Sequence, residues 1–270
     1  MTESPADLVP PTVVAFAPRE RVRAMLRAAF PRRRCRLVLA RNADDFAATF
    51  HKDLVDAALV DIGSGHADTW TVGGRARDFP SAPFFGISSL RGMEGPAVSQ
   101  CAALEFADVL VEGVDDSCAR DLVARRGFSA RFAEALHTPP EALALSTAVQ
   151  RRTWEFLVAH AGRRVRTHAL AARLGVTREH LSRTFAAAGA PNLKRVIDLV
   201  RLLAAAELAK NPGYDLRDVA AVLDFASSSH LSSTAQRVVG TRPASLSRLR
   251  TVDLIQRFAR GHGQIGRAHV

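Results

Sequence analysis

The strongest constraint on this chain is a segment that it uses twice. Residues 170–185 read Leu-Ala-Ala-Arg-Leu-Gly-Val-Thr-Arg-Glu-His-Leu-Ser-Arg-Thr-Phe. Leu170, Ala171 and Leu174 recur at helical spacing and form one apolar face. Gly175 takes at little cost the positive φ that ends a helix. Val176 plugs the turn, and Thr177 is a good N-cap for a second helix. Leu181 and Phe185 then face inward, while Arg178, Glu179, Ser182 and Arg183 face out. A helix, a short Gly-containing turn and a helix with a polar outer face make the helix-turn-helix pattern.

The pattern returns 49 residues later. Val219-Ala220-Ala221-Val222-Leu223 repeats Leu170 to Leu174, and Asp224-Phe225 stands where Gly175-Val176 stood. His230-Leu231-Ser232 echoes His180-Leu181-Ser182 after one inserted residue. A repeat of this period marks one supersecondary unit used twice. Between the copies, Leu193, Val196, Ile197, Val200, Leu203 and Leu208 form an apolar stripe. Pro191 suits the first helical turn, and Asn211-Pro212-Gly213 stops the helix. About twenty residues at ~1.5 Å each give a rod of about 30 Å. Major-groove faces on one side of B-DNA recur every ~34 Å. A stiff rod of that length can hold two recognition helices in adjacent grooves of one duplex.

Charge follows the repeat. Residues 1–140 hold 17 basic and 18 acidic side chains, and residues 141–270 hold 20 and 9, which together make the net +10. A basic half joined to a neutral half points to a polyanionic partner. Arg outnumbers Lys 34 to 3 across the chain, so the asymmetry is the informative quantity.

Several classes are disfavoured. There is no apolar run of ~18 residues, so no membrane partner is expected. Met1 to Pro11 is polar and acidic, unlike a secretory signal, and a cytoplasmic location is expected. Cys35, Cys101 and Cys118 are scattered, with neither a disulfide framework nor a metal-ligand spacing, and read as small buried thiols. Gly-Ser-Gly at 63–65 lacks the Gly-Lys-Ser/Thr of a phosphate loop. Gly86 to Leu90 lacks the second glycine of a nucleophile elbow. His51 and His66 are isolated and read as surface or turn histidines. No catalytic residue, metal site or cofactor is expected.

The N-terminal half alternates strands and helices, which predicts an α/β domain with a five-stranded parallel sheet covered on both faces. Strands are expected at Thr12–Ala17, Arg36–Ala40, Asp56–Asp61, Pro83–Ser88 and Ala107–Val111. Helices are expected at Arg19–Phe30, at Asp44–Phe50, and through Arg126 after a cap at Asp115 or Asp116. Over residues 12–127 this order resembles the receiver domain of bacterial response regulators, with its flavodoxin-like fold. The resemblance places the family's phospho-acceptor at Asp61 and its strand-four hydroxyl at Ser88. It also exposes departures. The acidic pair that holds Mg²⁺ falls on Ala17 and Pro18, and the lysine after strand five falls on Glu112. A hard divalent cation needs oxygen ligands, and without it the charge on a transferring phosphoryl group is not neutralised. The expectation is a receiver-like domain that has lost phosphotransfer, with Asp61 bonded to a backbone N–H.

Pro139-Pro140 favours an extended joint. The expected division is a receiver-like domain over 1–127, a linker over 128–141, a DNA-binding domain over 142–250 and a tail over 251–270. Ser146–Ala159 opens the C-terminal domain as a helix, with Trp154 in the core. Thr251–Arg260 is expected as a short helix. Ile265 to Val270 match a sequencing-adapter read-through and are expected to be non-native.

Residues 145–248 closely resemble the DNA-binding domain of the AraC/XylS family of bacterial transcription regulators. The matching residues are Leu170-Ala-x-x-Leu174-Gly-Val-Thr, Leu181-Ser-Arg-x-Phe185, Arg201-Leu-x-x-Ala205-x-x-Leu208, Val219-Ala220, Phe225, Gly240 and Pro243. The resemblance implies an all-α domain of two helix-turn-helix units on double-stranded DNA. It places base-facing residues at Arg178, Glu179, Ser182 and Arg183 in the first unit. In the second they fall on Ser228, Ser229, His230, Ser232 and Ser233. The family's usual arginine falls on Ser233, its core phenylalanine on Ala235 and its second turn glycine on Asp224. Further partners expected are RNA polymerase and a second copy of the chain through the N-terminal domain. Two rival readings stay open: a response regulator phosphorylated on Asp61, and a protein-binding adaptor with no operator of its own.

Overall fold

The structure is a computed structural model that describes residues 10–89, 94–186 and 190–266. Leu90, the first nine residues and the final four therefore lie outside the described residues, with the expectations placed on them. The chain divides into two compact units. One comprises the described residues through Arg131 together with Asn211–Tyr214, and the other takes Phe132–Lys210 and the chain from Asp215 onward.

The first unit runs β1 (Thr12–Phe16), α1 (Glu20–Ala29), β2 (Arg36–Ala40), α2 (Ala43–Lys52), β3 (Val55–Asp61), α3 (Thr69–Gly74), β4 (Phe84–Ser88), α4 (Gly95–Ala103), β5 (Asp108–Val111) and α5 (Ala119–Arg126). The strands form one five-stranded parallel sheet in the order β2-β1-β3-β4-β5, a flavodoxin-like arrangement. Every residue of β1, β3 and β4 is buried. Central strands covered on both faces read as continuous apolar runs, which is why they were legible as such. Alternate side chains enter opposite cores. Val13 and Ala15 pack with Val22, Leu26 and Val123 of α1 and α5. Val14 and Phe16 pack with Phe46, Phe50, Val72 and Cys101 of α2, α3 and α4.

Local differences from the sequence reading have local causes. Helices α3 and α4 were not anticipated. The first ends in two glycines, and the second buries only Cys101, so neither displays a periodic apolar face. Asp115 and Asp116 do not cap α5. Their carboxylates accept from the backbone N–H groups of Val111 and Gly113 and close the preceding turn. The stretch read as a linker opens with helix α6 (Phe128–Ala135). Its start is tied by Asp56, whose buried carboxylate accepts from Ser129 N at 3.0 Å and from Thr12 N at 2.8 Å. Cys118 is exposed, whereas Cys35 and Cys101 are buried as expected.

The second unit is helical: α7 (Ala148–Ala159), α8 (Thr167–Arg173), α9 (Arg178–Ala186), α10 (Leu193–Leu208), α11 (Leu216–Val222), α12 (Ser228–Val239) and α13 (Thr251–Gly266). A reciprocal capping box between Thr147 and Gln150 starts α7. Trp154 is fully buried and donates from Nε1 to Leu136 O at 2.7 Å. Helix α10 is unbroken, and every residue from Asp198 to Ala206 is buried. Ala204, Ala205 and Ala206 keep its girth small where neighbours close in. It is shorter than expected: 16 residues, or about 24 Å. Pro191 stands outside it, because Asn192 is the N-cap and accepts from Arg195 N at 3.0 Å. Helix α13 runs past Arg260 to Gly266. Among the described residues no helix is long and apolar enough to cross a membrane.

Candidate nucleic-acid interface

The first helix-turn-helix is α8 and α9. Gly175 between them has φ +67°, the left-handed conformation that costs a glycine nothing. Thr177 then accepts from His180 N at 3.1 Å and starts α9. Leu181 and Phe185 are fully buried, which sets the rotation of the helix. Gln150, also fully buried, donates from Nε2 to Thr184 O at 3.0 Å and ties α9 to α7. Arg178, Glu179, Ser182 and Arg183 all fall on the exposed side. Among the described residues none of their side chains is held by a hydrogen bond or ion pair, so the whole face is free to meet a ligand.

The second unit is α11 and α12. Asp224 replaces the turn glycine and takes the same left-handed conformation, φ +54°. A short polar side chain is among the few that tolerate it. Ser227 caps α12 by accepting from His230 N at 3.0 Å. Leu231 and Ala235 are fully buried, so the small residue at the family's phenylalanine position sits in close packing. Ser229, His230 and Ser233 are exposed, and Ser228 and Ser232 are partly buried. This face is tied to itself. The Ser232 hydroxyl donates to Ser228 O at 2.8 Å and the Ser233 hydroxyl to His230 O at 3.1 Å. The His230 ring lies edge-on to Phe225 at 5.7 Å, and its Nδ1 accepts from Ala226 N. A hydroxyl whose proton goes to its own backbone presents lone pairs outward and no donor.

Two charged residues of α10 position this second unit, and the sequence reading did not assign them. Arg201 is buried, stacks over Phe225 at 3.9 Å and donates to Leu223 O at 2.8 Å. Asp198 pairs with Arg237 of α12 at 2.8 Å. The available signal was a pair of charges, three residues apart, inside an otherwise apolar run.

Asp61 ends β3 with its side chain wholly buried. Its partner is Arg19, which follows β1. Arg19 Nε donates to Oδ1 and Oδ2 at 2.9 and 3.0 Å, and Nη2 reaches Oδ1 at 2.6 Å. Arg19 Nη1 also lies 3.0 Å from Glu112, which pairs with Arg21 Nε at 2.6 Å. The bonds to Asp61 raise the Arg19 pKa above its ordinary value despite partial burial. The expected backbone bond to Asp61 is present but long, 3.3 Å from Arg19 N. The guanidinium was missed because Arg19 lies 42 residues away and reads locally as the first turn of a surface helix. A magnesium ion does not fit this donor set. Ala17 and Pro18 offer no side-chain oxygen, and the guanidinium already engages both oxygens of Asp61.

No curated protein matches the chain. Residues 170–248, from α8 through the Pro243–Arg248 turn, match the family model described as a helix-turn-helix domain. The match is to a helix-turn-helix domain of the AraC type, which supports DNA binding by this part of the chain and a role in transcription regulation.

Proposed function

We propose that the protein is a sequence-specific regulator of transcription that grips the major groove of double-stranded DNA. In this reading α9 is the first reader. Arg183 pairs bidentately with guanine O6/N7, Glu179 accepts from cytosine N4, and Arg178 and Ser182 complete the contact face. Helix α12 is the second reader, through Ser228, Ser229, His230, Ser232 and Ser233. With no Lys, Arg, Asp or Glu among those five, it contributes fit more than electrostatic affinity. The observation that carries the reading is the matched domain combined with the free, exposed face of α9 beside buried Leu181 and Phe185.

The N-terminal unit senses or dimerises and does not transfer a phosphoryl group. Engagement of Asp61 by Arg19 supports this, since an aspartate held through both oxygens is a poor nucleophile. A second copy of the chain and RNA polymerase are the further partners of this reading.

Selection of bound fragments from random genomic DNA tests it. A regulator enriches a defined operator, whereas an adaptor shows no specific excess over random duplex. Against the selected operator, Arg183→Ala is expected to cost about 1–3 kcal/mol and to relax discrimination at one base pair. A loss uniform across sequences would assign Arg183 to phosphate instead.

A further inference from the structure

We propose that the C-terminal edge of the sheet carries an oxyanion seat, filled by the chain's own Glu94 carboxylate. Ser88 closes β4 and is fully buried. Its hydroxyl donates to Glu94 Oε2. Ser89 adds its backbone N–H to the same oxygen at 2.9 Å and its hydroxyl to Oε1 at 2.6 Å. Three donors on two consecutive residues thus converge on both oxygens of one carboxylate.

Gly63 makes room for it. A Cβ at that position would stand 2.7 Å from Glu94 Oε1 and 3.2 Å from Arg19 Nη2. The glycine therefore lies in the gap between the anion and the guanidinium. Burial alone would push the Glu94 pKa up. The bonds from Ser88 and Ser89 and the charge of Arg19 outweigh it and hold the carboxyl below its usual range. The bound form is thus the anion, and the seat is built for charge.

The rest of Arg19 is committed to Asp61 and Glu112, so the close contacts to Glu94 come from hydroxyls and an amide. Such donors recognise any small oxyanion of this shape. Glu94 prevails because it is tethered, which gives it a high effective concentration. It directly precedes Gly95, the first residue of α4, so a filled seat fastens α4 to the end of β4. Emptying it frees the start of α4 and opens the donors to an external carboxylate.

The test uses the full chain and amide hydrogen exchange over α4. Glu94→Ala is expected to speed exchange there by roughly tenfold or more, the consequence of losing charge-assisted bonds. Sodium acetate, measured against equal sodium chloride, should restore protection in Glu94→Ala. It should do nothing to the wild type, whose seat is filled, and clearly less to Ser88→Ala/Glu94→Ala, whose seat has lost one of its three donors. Ser89→Ala in the same background replaces that double variant if it does not fold. Glu94→Gln keeps the volume without the charge and reports the same loosening should Glu94→Ala unfold. Wild-type exchange in both Glu94 variants would overturn the proposal. So would acetate acting equally on the single and double variants, or chloride matching acetate, since either would mean an adventitious ion only.

Discussion

At Arg19 one side chain reaches two carboxylates, and its first partner has no access to water. Asp61 is fully buried and its Coulombic partner is the guanidinium 2.6 Å away. Removing one member of a buried pair is far costlier than removing both, because the survivor keeps its charge and loses its compensation. Arg19→Ala is therefore expected to destabilise the first unit by on the order of 3 kcal/mol, and Arg19→Ala/Asp61→Asn by clearly less than the two single changes combined. Urea unfolding of the three variants measures it. Full additivity would show that the pair is not coupled. Arg19→Lys should recover little, since an ammonium cannot form the planar fork. Residue identity misleads at this site: the aspartate that a resemblance to receiver domains places as phospho-acceptor is the anchor of an internal ion pair.

At the scale of elements, the two helix-turn-helix units solve one problem differently. The first turn uses Gly175, and the second uses Asp224 in the same left-handed region. The first is tied from α7 by Gln150, and the second from α10 by Asp198 and Arg201. Arg201, like Arg195 on the same helix, has an Nε with no hydrogen-bond partner among the described residues, and burial lowers its pKa. Such a costly group is retained only where its stacking and carbonyl bond compensate. Arg201→Ala is expected to destabilise the second unit by about 2–3 kcal/mol through the lost bond and cation–π contact. On DNA it should remove footprint protection at one end of the operator while leaving the α9 end protected. Equal loss at both ends would show that Arg201 supports the whole domain and not the second turn.

For the whole molecule, charge is partitioned between two units that differ in kind. The excess of basic over acidic residues lies after residue 140. Phosphate contacts release counterions, so the affinity of the full chain should fall linearly in log–log form with salt. Replacing exposed Arg164 and Arg166, which precede α8, is expected to reduce that slope by about 1 each where each meets a phosphate. The same replacements at Arg32 and Arg33 should leave it unchanged. An equal effect from both pairs would mean that the partition has no bearing on DNA.

Much of this organisation is local and therefore legible in order along the chain. The repeat around Leu170 and Val219, the apolar runs of β1, β3 and β4 and the polar face of α9 follow from period and burial, which any short window displays. Other features required the folded chain. The true length of α10 depended on which residue capped it, and helices without an apolar face, such as α3 and α4, left no periodic trace. Above all, the pairings Arg19 with Asp61 and Arg201 with Leu223 join residues far apart in sequence. Periodicity states which side of an element turns inward. Only tertiary packing decides which distant charge waits there, because pairing energy depends on separation in space and not along the chain.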